Sequence, residues 1–393
     1  MRVALRLALA TTLVVLFGLS SAVGETPAAV PLPPYAGAYQ PQTADERGAW
    51  MMADEAERSL RDSPALIGDP ALNAYLQRVL CRTVGQDRCR GIRIYILRVA
   101  DVNASMMANG TLQIWSGILL RMQNEAELAG VLGHEFAHFE RRHQLNHFRK
   151  ARTATDIAAW AGLADGRYGP TVAFSAQTSI YAFGRAQETE SDMLSSRYMQ
   201  ASHYDGHSVG AFWERLMDEA DATALGRHRR STRFDRVSYF DTHPATLERA
   251  RAFHAAAASA PGGGDDEHAA WAAALARWRE AWLEDQLKLN DFGGTEYLLA
   301  QLGRDGWTQD LLFARGELYR MRGNPRDLIA AADFYREAII LAPDHAEAHR
   351  GLGLTLLRRG REVDAETGRA ELRRYLTLKP AATDAAMMAA LVS

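Results

Sequence analysis

The sequence of 393 residues predicts an α+β fold that is mostly helical, in which a domain with a small sheet precedes an all-α domain. Three observations support this prediction. Strand-like segments at residues 92–99 and 111–115 indicate the sheet, and a helix-prone run at 124–132 leads into two histidines four residues apart. Beyond residue 266, small, aromatic and proline residues recur with the spacing of stacked helix pairs.

Length and composition limit what this chain can be. At 393 residues and 47% hydrophobic content it is too long for one ordinary core, so two or more compact domains are expected. The formal net charge is -3. A chain so close to neutral indicates no nucleic-acid partner and no binding to a strongly anionic membrane surface.

The N-terminus has the pattern of a secretory signal peptide, which we predict at residues 1–24. Arg2 and Arg6 flank the start of an apolar stretch, residues 7–19 continue it, and small residues then lead to Glu25. The apolar run is short for a bilayer span, and an uncleaved membrane anchor is the alternative. A Pro- and Ala-rich tether at residues 25–42 is expected to follow.

The first domain is predicted at residues 43–258, and its opening helices have clear signals. Thr43 with Glu46 predicts a capping box at the start of a helix that continues toward residue 60. Asp69, followed by proline, predicts the start of a second helix.

The chain has two cysteines, Cys81 and Cys89, between the second predicted helix and the first predicted strand. In an oxidising compartment their proximity indicates a local disulfide. Two free buried thiols are the alternative.

The string VLGHEFAHFERRH carries His134, Glu135 and His138. Residues four apart lie on one face of a helix, so both imidazoles can reach one metal ion while Glu135 points at its open position. Gly133 lets a neighbouring backbone approach closely. This pattern is typical of a metalloprotease. Because it also occurs by chance, a solvated helical face that happens to carry histidines is the alternative.

Two histidines leave a catalytic zinc one protein ligand short, and the segment GRAQETESDMLSSRY offers three carboxylates. On a helix, Glu188 and Asp192 share a face, whereas Glu190 points away. We therefore predict that His134, His138 and Glu188 bind one zinc ion. Asp192 is predicted to orient a ligand histidine by accepting its free ring N–H.

These residues predict peptide-bond hydrolysis. Zinc polarises the scissile carbonyl and lowers the pKa of its bound water toward ~7, and Glu135 passes the water's proton to the leaving amine. Residues 103–111, which begin with Asn103 and Ala104, are predicted to form a sheet edge to which an extended substrate adds through main-chain hydrogen bonds. A purely structural edge strand is the alternative.

Residues 151–182 are Ala- and Gly-rich and weakly apolar, but charged residues interrupt them, so they are not expected to span a membrane. A mobile flap over the active site and a buried helix and loop are both compatible with this composition.

Residues 259–266 (SAPGGGDD) predict a linker, and residues 267–393 a tetratricopeptide-like helical domain. A stripe at helical spacing is predicted to enter its core: Trp271, Leu275, Trp278 and Trp282. Two repeat units then follow, with ladders at Gly316, Tyr319, Gly323, Ala331, Tyr335, Ala338 and Pro343, and at Gly353, Leu356, Gly360, Gly368, Leu372, Tyr375 and Pro380. Such repeats expose a groove for extended chains or partner surfaces, and a structural tail is the alternative.

Residues 72–251 resemble the zinc metallopeptidase family that contains HtpX, the CAAX prenyl endopeptidases and BepA. The resemblance lies in NASMMANGTLQIWSGILL, NEAELAGVLGHEFAHFERRH, GRAQETESD and THPATLER. It implies a zincin-type (gluzincin) domain and, with the signal peptide and repeats, is strongest to the BepA branch. Ser191 replaces the family's usual alanine, and Met193-Leu194 an arginine-containing step. Neither difference affects a predicted ligand.

The resemblance implies a periplasmic endopeptidase that cleaves misfolded or stalled outer-membrane proteins or assists their assembly, with an assembly-machinery partner at the repeats. It also implies that His243 caps the zinc's open position or stabilises the oxyanion. A surface histidine is the alternative for His243. Arg249 is expected to make an ion pair or hydrogen bonds near the site, and His143 to have a supporting role.

Two other functions compete with this hypothesis. A chaperone or adaptor would act through the repeats, with a latent or vestigial metal site. An aminopeptidase would need a group that anchors the substrate's free amine, and no motif in the sequence identifies one.

Overall fold

The computed structural model of the protein describes residues 40–146, 148–149, 152, 184–231, 247–259 and 264–392. The predicted signal peptide, most of the tether, nearly all of segment 151–182 and His243 lie outside these residues. None of the helices within them combines the length and apolar character needed to cross a membrane.

The described ranges are mostly helical and contain one small sheet, which confirms the predicted fold class. The strands are β1 (Arg93–Leu97), β2 (Ala104–Met106) and β3 (Thr111–Trp115). The helices are α1 (Ala44–Arg61), α2 (Pro70–Val84), α3 (Gln86–Cys89), α4 (Ser116–Arg121), α5 (Glu125–Glu140), α6 (Arg185–Ser202), α7 (Gly206–Gly226), α8 (Leu247–Ala258), α9 (His268–Lys288), α10 (Phe292–Leu302), α11 (Gln309–Arg322), α12 (Pro325–Leu341), α13 (Ala346–Arg359), α14 (Glu362–Leu378) and α15 (Ala385–Val392).

The first two helices begin where their capping signals predict. Thr43 caps α1 in a capping box: its Oγ1 accepts from the Glu46 backbone N–H at 3.3 Å, and the Glu46 carboxylate accepts from the Thr43 N–H at 2.7 Å. Asp69 caps α2 by accepting from the Ala71 N–H at 3.0 Å, and Pro70 occupies the first turn, where its missing N–H has no intrahelical partner to lose.

Cys81, near the end of α2, and Cys89, in α3, are joined in a disulfide. Gly85 lies between them with φ +100° and connects the two helices. A residue with a side chain rarely adopts this backbone conformation, so the glycine makes the short turn available that brings the two cysteines together.

The sheet has the strand order β1-β3-β2, with β1 parallel and β2 antiparallel to β3. β2 is therefore an edge strand of the described sheet, and it packs against α5. Gly110, with φ +84°, lies in the turn between β2 and β3. A Cβ there would lie 2.8 Å from the Gly91 carbonyl oxygen, so both the turn and the close approach require glycine.

Helix α5 lies in the centre of the first domain, where every residue from Glu125 to His138 is buried. Two glycines let its neighbours approach. A Cβ on Gly130 would lie 2.2 Å from Val209 of α7, and a Cβ on Gly133 would lie 3.0 Å from Ser195 Oγ of α6. The close approach allowed by Gly133 brings α6 against the face of α5 that carries the histidines.

The hydrophobic core continues past the predicted linker. Trp271, Leu275 and Trp282 of α9 are buried in the same cluster as the first domain's core, and Trp278 is partly buried against it. The last linker residues also bond to the first domain, since Asp265 N–H donates to the His203 carbonyl at 2.9 Å. The boundary at 259–266 stays a prediction, but α9 packs as an extension of the first domain.

Helices α11 to α14 form two successive helix pairs over the predicted repeat units. Gly316 and Gly351 both face the buried Tyr335 ring, where an added Cβ would lie 2.7 Å and 2.5 Å from ring carbons. Gly353 meets Leu372 in the same way, at 2.7 Å. Small residues on one helix therefore receive a large side chain from a neighbouring helix. That these helices are tetratricopeptide repeats stays a prediction.

Candidate metal centre

Two helices contribute the candidate ligands. His134 and His138 lie one turn apart on α5, and Glu188 and Asp192 lie one turn apart on α6. Helix α5 begins at its cap Asn124, whose side chain accepts from the Glu127 N–H at 3.0 Å. The one-turn spacing points each pair of side chains into the interface between the helices.

Within the described residues, His134, His138 and Glu188 form a cluster in which one ligand atom from each lies within 4.8 Å of the others. His134 Nε2 and His138 Nε2 are 3.0 Å apart. Each of these nitrogens is 3.5 Å from an oxygen of Glu188. All three residues are buried, at 3%, 0% and 4% exposure.

This spacing fits a tetrahedral zinc ion. Metal–ligand bonds of about 2.0–2.1 Å at a tetrahedral centre place ligand atoms roughly 3.4 Å apart. His134 Nδ1 is 2.9 Å from Asp192 Oδ1, so it carries the ring proton and leaves the Nε2 lone pair facing the centre. Two imidazole lone pairs and a carboxylate oxygen that converge in a buried space repel one another, and a shared cation removes that repulsion.

The far sides of both histidines are held in place. Asp192 orients His134, as described above, and His138 Nδ1 is 3.0 Å from His143 Nδ1. His143 Nε2 is in turn 3.4 Å from a Glu190 oxygen. These contacts indicate proton donation from His138 to His143 and from His143 to Glu190, which again leaves the inner nitrogen of His138 free to bind a cation.

His143 reaches this position because the chain turns back immediately after α5. Arg142 adopts a left-handed conformation, with φ 55°. A residue with a side chain accepts this conformation at a cost of about 1–2 kcal/mol. The resemblance implied only a general supporting role for His143, and its contact with His138 depends on the turn at Arg142.

Arg249 of α8 is buried, at 7% exposure, and contacts two of the three acidic residues of α6. Its Nε lies 2.7 Å from Asp192 Oδ2, and its Nη1 lies 3.2 Å from Glu188 Oε2. The guanidinium also lies over the Trp213 ring, 4.6 Å from its centroid. The expected ion pair of Arg249 is therefore present, and it connects α8 to the ligand cluster.

These charges shift the pKa of several groups in the cluster. Burial alone would raise the pKa of Asp192, but Arg249 and the His134 hydrogen bond outweigh it and lower that pKa to about 2. Burial, followed by the charge of Arg249, lowers the pKa of His134 and keeps its imidazole neutral. A neutral imidazole is the form that binds metal.

Glu135 is buried at 3% exposure, next to the first histidine. Burial, and then the nearby Glu188 carboxylate, raise the pKa of Glu135 well above its ordinary value. Arg249 and a hydrogen bond from the Met106 backbone oppose this shift. A carboxylate with a raised pKa is a stronger base, which suits general-base catalysis near neutral pH.

The orientation of β2 can be read from its hydrogen bonds. Trp115 N–H donates to the Asn103 carbonyl at 3.0 Å, and Met107 N–H donates to the Thr111 carbonyl at 2.8 Å. Because such pairs alternate in an antiparallel ladder, the backbone groups of Ala104 point away from β3, as do those of Met106. Of the two predicted edge residues, Ala104 thus offers its backbone outward, whereas Asn103 uses its carbonyl within the sheet.

The remaining predicted residues lie away from the ligand cluster or outside the described residues. Glu190 is half-buried and pairs with Arg141 at 3.1 Å; it also lies 3.4 Å from His143 Nε2, so it contacts the cluster through His143 and not as a ligand. His203 and His228 lie at helix ends with left-handed backbones, and His207 faces His254 at 3.3 Å. His243 is not among the described residues.

Comparison with known proteins agrees with this geometry. The model of peptidase family M48 matches residues 69–257. A protein of Vibrio cholerae serotype O1, provisionally named a beta-barrel assembly-enhancing protease, is 31% identical over 180 residues, which are 42% of this chain and 37% of that one. The beta-barrel assembly-enhancing protease of Escherichia coli K12 is 25% identical over 182 residues, 43% of this chain and 37% of that one.

A third relative is covered more fully. Metalloprotease LoiP of Escherichia coli K12 is 26% identical over 220 residues, which are 55% of this chain and 83% of LoiP. The chain thus spans well under half the length of the assembly-enhancing proteases that it matches, 37% in each case. The family inferred from the sequence motifs is confirmed: residues 69–257 of this chain form a metallopeptidase domain of family M48.

Proposed function

We propose that the protein is a zinc-dependent endopeptidase in which His134, His138 and Glu188 hold the ion and Glu135 is the general base. The convergence of the three ligand atoms within 4.8 Å, inside an M48 domain, carries the proposal. Two imidazoles with one carboxylate is a ligand set typical of catalytic zinc in peptidases, and it leaves a coordination position open.

In the proposed mechanism, zinc held by these ligands would act as a Lewis acid toward the scissile carbonyl. It would also make a water molecule acidic enough to lose a proton near neutral pH. Glu135 accepts that proton and donates it to the leaving amine. Its raised pKa in the unloaded site suits both roles, because the same carboxyl must take and release a proton in one turnover.

The surrounding side chains hold the ligands in position. Asp192 keeps His134 in the tautomer that presents Nε2, and His143 does the same for His138. Arg249 neutralises the excess negative charge of Asp192 and Glu188, so that the two carboxylates can lie buried on one helical turn before a cation binds.

We further propose that the substrate pairs with β2 at Ala104. The outward backbone groups of Ala104 supply one donor and one acceptor for an extended peptide. The next outward carbonyl, that of Met106, already accepts from Gln144 Nε2 at 2.5 Å. Ala104 and Met106 are only 1% and 2% exposed, so substrate entry requires this edge to open, and the Gln144 contact must break before pairing can extend along the strand.

The test of the mechanism is Glu135→Gln. We expect the purified variant to retain one zinc ion per chain by elemental analysis and to lose casein hydrolysis, because glutamine cannot accept the proton. Glu55→Gln, at an exposed ion pair on α1, is the control and should hydrolyse casein normally. A Glu135→Gln protein that still cleaves casein would remove Glu135 from the mechanism.

The proposed substrates are unassembled outer-membrane β-barrel proteins in the periplasm. The names of the assembly-enhancing relatives support this substrate class, and the predicted signal peptide at residues 1–24 supports the compartment. The repeat helices are the proposed surface for an assembly-machinery partner. Purified protein should cleave an unfolded β-barrel protein faster than the same protein folded in detergent micelles, and equal rates would contradict the proposal. Release of the protein by osmotic shock of the cells would check the compartment.

A further inference from the structure

A cavity of about 250 Å³ lies where the peptidase domain meets the C-terminal helices. Its walls come from the end of α4 and the two residues that follow it, from α9 between His268 and Trp282, and from the end of α10 with the turn after it. None of its lining residues belongs to the candidate metal centre. The two regions of the chain therefore form a second concave site together.

The buried side chains that line the cavity are apolar. They are Leu120, Met122, Trp271, Leu275 and Trp282. Trp271 is held in place because its Nε1 donates to the Met122 carbonyl at 2.8 Å. These side chains can contact an apolar group, whereas polar and charged side chains make up most of the rest of the lining.

The outer part of the cavity is cationic. Arg279 and Arg304 line it, and within the described ranges neither guanidinium is paired with a carboxylate. Arg277, two positions earlier on α9, differs in this respect because it lies 3.4 Å from Asp69. The one acidic residue of the lining, Asp305, faces His268 at 3.8 Å. Two unpaired guanidinium groups at an apolar cavity favour a ligand that ends in an anion.

The volume limits the ligand's size. Sites for drug-sized molecules typically occupy about 300–1,000 Å³, and one water molecule takes about 30 Å³ of liquid volume. A cavity of about 250 Å³ therefore suits one large side chain with the backbone atoms attached to it.

We propose that this cavity binds the C-terminal residue of a polypeptide, with an apolar side chain against Trp271 and Leu275 and the free α-carboxylate between Arg279 and Arg304. The choice of a polypeptide over a free carboxylic acid rests on the proposed function, whereas the apolar wall and the cationic mouth do not. A protein that binds chain ends here can hold a substrate at a point separate from the bond it cleaves.

The test measures binding and not cleavage, so it is independent of peptidase activity. A decapeptide labelled at its N-terminus and ending in phenylalanine is titrated with Glu135→Gln protein, and fluorescence anisotropy is recorded. We expect the free-acid peptide to bind at least about tenfold more tightly than the C-terminal amide, because the amide cannot form charged hydrogen bonds with the arginines.

Substitutions in the cavity should weaken binding of the free-acid peptide only. Arg279→Gln and Arg304→Gln should each weaken its binding about tenfold and leave amide binding unchanged. Arg326→Gln, at an exposed position on α12 outside the cavity, is the matched control and should change neither. Ala272→Phe, which fills the cavity from α9, should abolish free-acid binding, and circular dichroism checks that it folds.

Three results would overturn the proposal: equal binding of acid and amide, unchanged binding after both arginine substitutions, or full binding by a folded Ala272→Phe protein. Competition by N-acetylphenylalanine tests whether the cavity requires a polypeptide or binds any small carboxylic acid. If N-acetylphenylalanine displaces the labelled peptide at the same concentration as the unlabelled peptide does, the cavity is a site for small carboxylic acids instead. If Glu135→Gln still hydrolyses casein while these binding results hold, the proposed mechanism fails and the cavity proposal stands.

Discussion

The helix pair α5–α6 and the helix pair α11–α12 pack closely in different ways. At α11–α12, Gly316 faces the Tyr335 ring within an apolar cluster, and the buried carboxylate of Asp327 is paired with Arg322 at 2.6 Å. At α5–α6, Gly133 gives a similar close approach to Ser195, yet the interface also buries two imidazoles and two carboxylates.

This difference distinguishes side chains that stabilise the fold from side chains that serve a function. Burying charged groups is unfavourable unless each is paired, and an apolar interface would stabilise the fold at least as well. At α11–α12, the buried Asp327 has its own partner in Arg322, whereas at α5–α6 two imidazoles and two carboxylates converge on one space. The polar cluster at α5–α6 therefore has a purpose other than stability, and a metal site accounts for the residues it contains.

The largest expected effect is the loss of metal binding at the α5–α6 interface. Glu188→Gln should lose most of its zinc and at least about a thousandfold of its casein hydrolysis, because a neutral amide is a poor ligand for zinc. Elemental analysis and a casein assay measure the two losses. Glu55→Gln, whose exposed side chain lies on α1, should keep both zinc and activity. Equal zinc content in the two variants would contradict the assignment of Glu188.

A smaller effect is expected from Arg249→Lys. Lysine keeps the charge but cannot reach Asp192 and Glu188 together, as the guanidinium does at 2.7 Å and 3.2 Å. Zinc affinity should fall about 10–100-fold, which is typical when a group that orients metal ligands is lost. Competition with a chelator measures the affinity. Arg251→Lys, exposed on the same helix, should bind zinc as the wild type does.

A substitution at the α11–α12 interface should destabilise the fold without changing metal binding. Gly316→Ala would place a methyl group 2.7 Å from a Tyr335 ring carbon, so we expect a loss of about 1–3 kcal/mol in the free energy of unfolding. Thermal or urea denaturation measures the loss, and zinc content should stay at one ion per chain. Ile329→Ala, exposed on α12, is the control and should unfold nearly as the wild type does. Loss of zinc in a folded Gly316→Ala protein would contradict the separation of the two regions.

An effect of similar size at pH 7, which shrinks in acid, concerns a buried carboxylate outside the metal centre. Glu57 accepts from Arg93 Nε at 2.6 Å, and this hydrogen bond lowers the pKa of Glu57 far below its ordinary value. The ionised form therefore stabilises the fold above the ordinary glutamate pKa, and the contribution is lost as pH falls toward the lowered pKa.

Glu57→Gln should accordingly cost about 1–3 kcal/mol at pH 7 and progressively less in acid, as measured by urea denaturation across pH. Glu55→Gln, at an exposed ion pair on the same helix, is the control and should unfold much as the wild type does at every pH. A Glu57→Gln difference that does not narrow in acid would contradict the role assigned to its charge.

Local sequence signals were sufficient for much of the fold. The caps at Thr43 and Asp69, the strand at residues 111–115 and the ladder around Tyr335 each depend on chemistry within a few residues, so they could be predicted directly. The packing of α9 into the first domain's core could not. The sequence around residues 259–266 favours a linker, and only the contacts of Trp271 with distant residues reveal the shared core.

The sequence by itself determined which chemistry this protein can perform, because the spacing of His134, Glu135 and His138 orients three functional groups from one helix. It also limited the third ligand to one face of α6, which favoured Glu188 over Glu190.

Only the tertiary structure decided how that chemistry is supported. The left-handed turn at Arg142 returns His143 to His138, and α8 brings Arg249 to two carboxylates of α6. The cavity between α4, α9 and α10 likewise depends on segments far apart in the chain. Periodicity describes neighbours along one helix, whereas contacts between elements depend on how all of them pack.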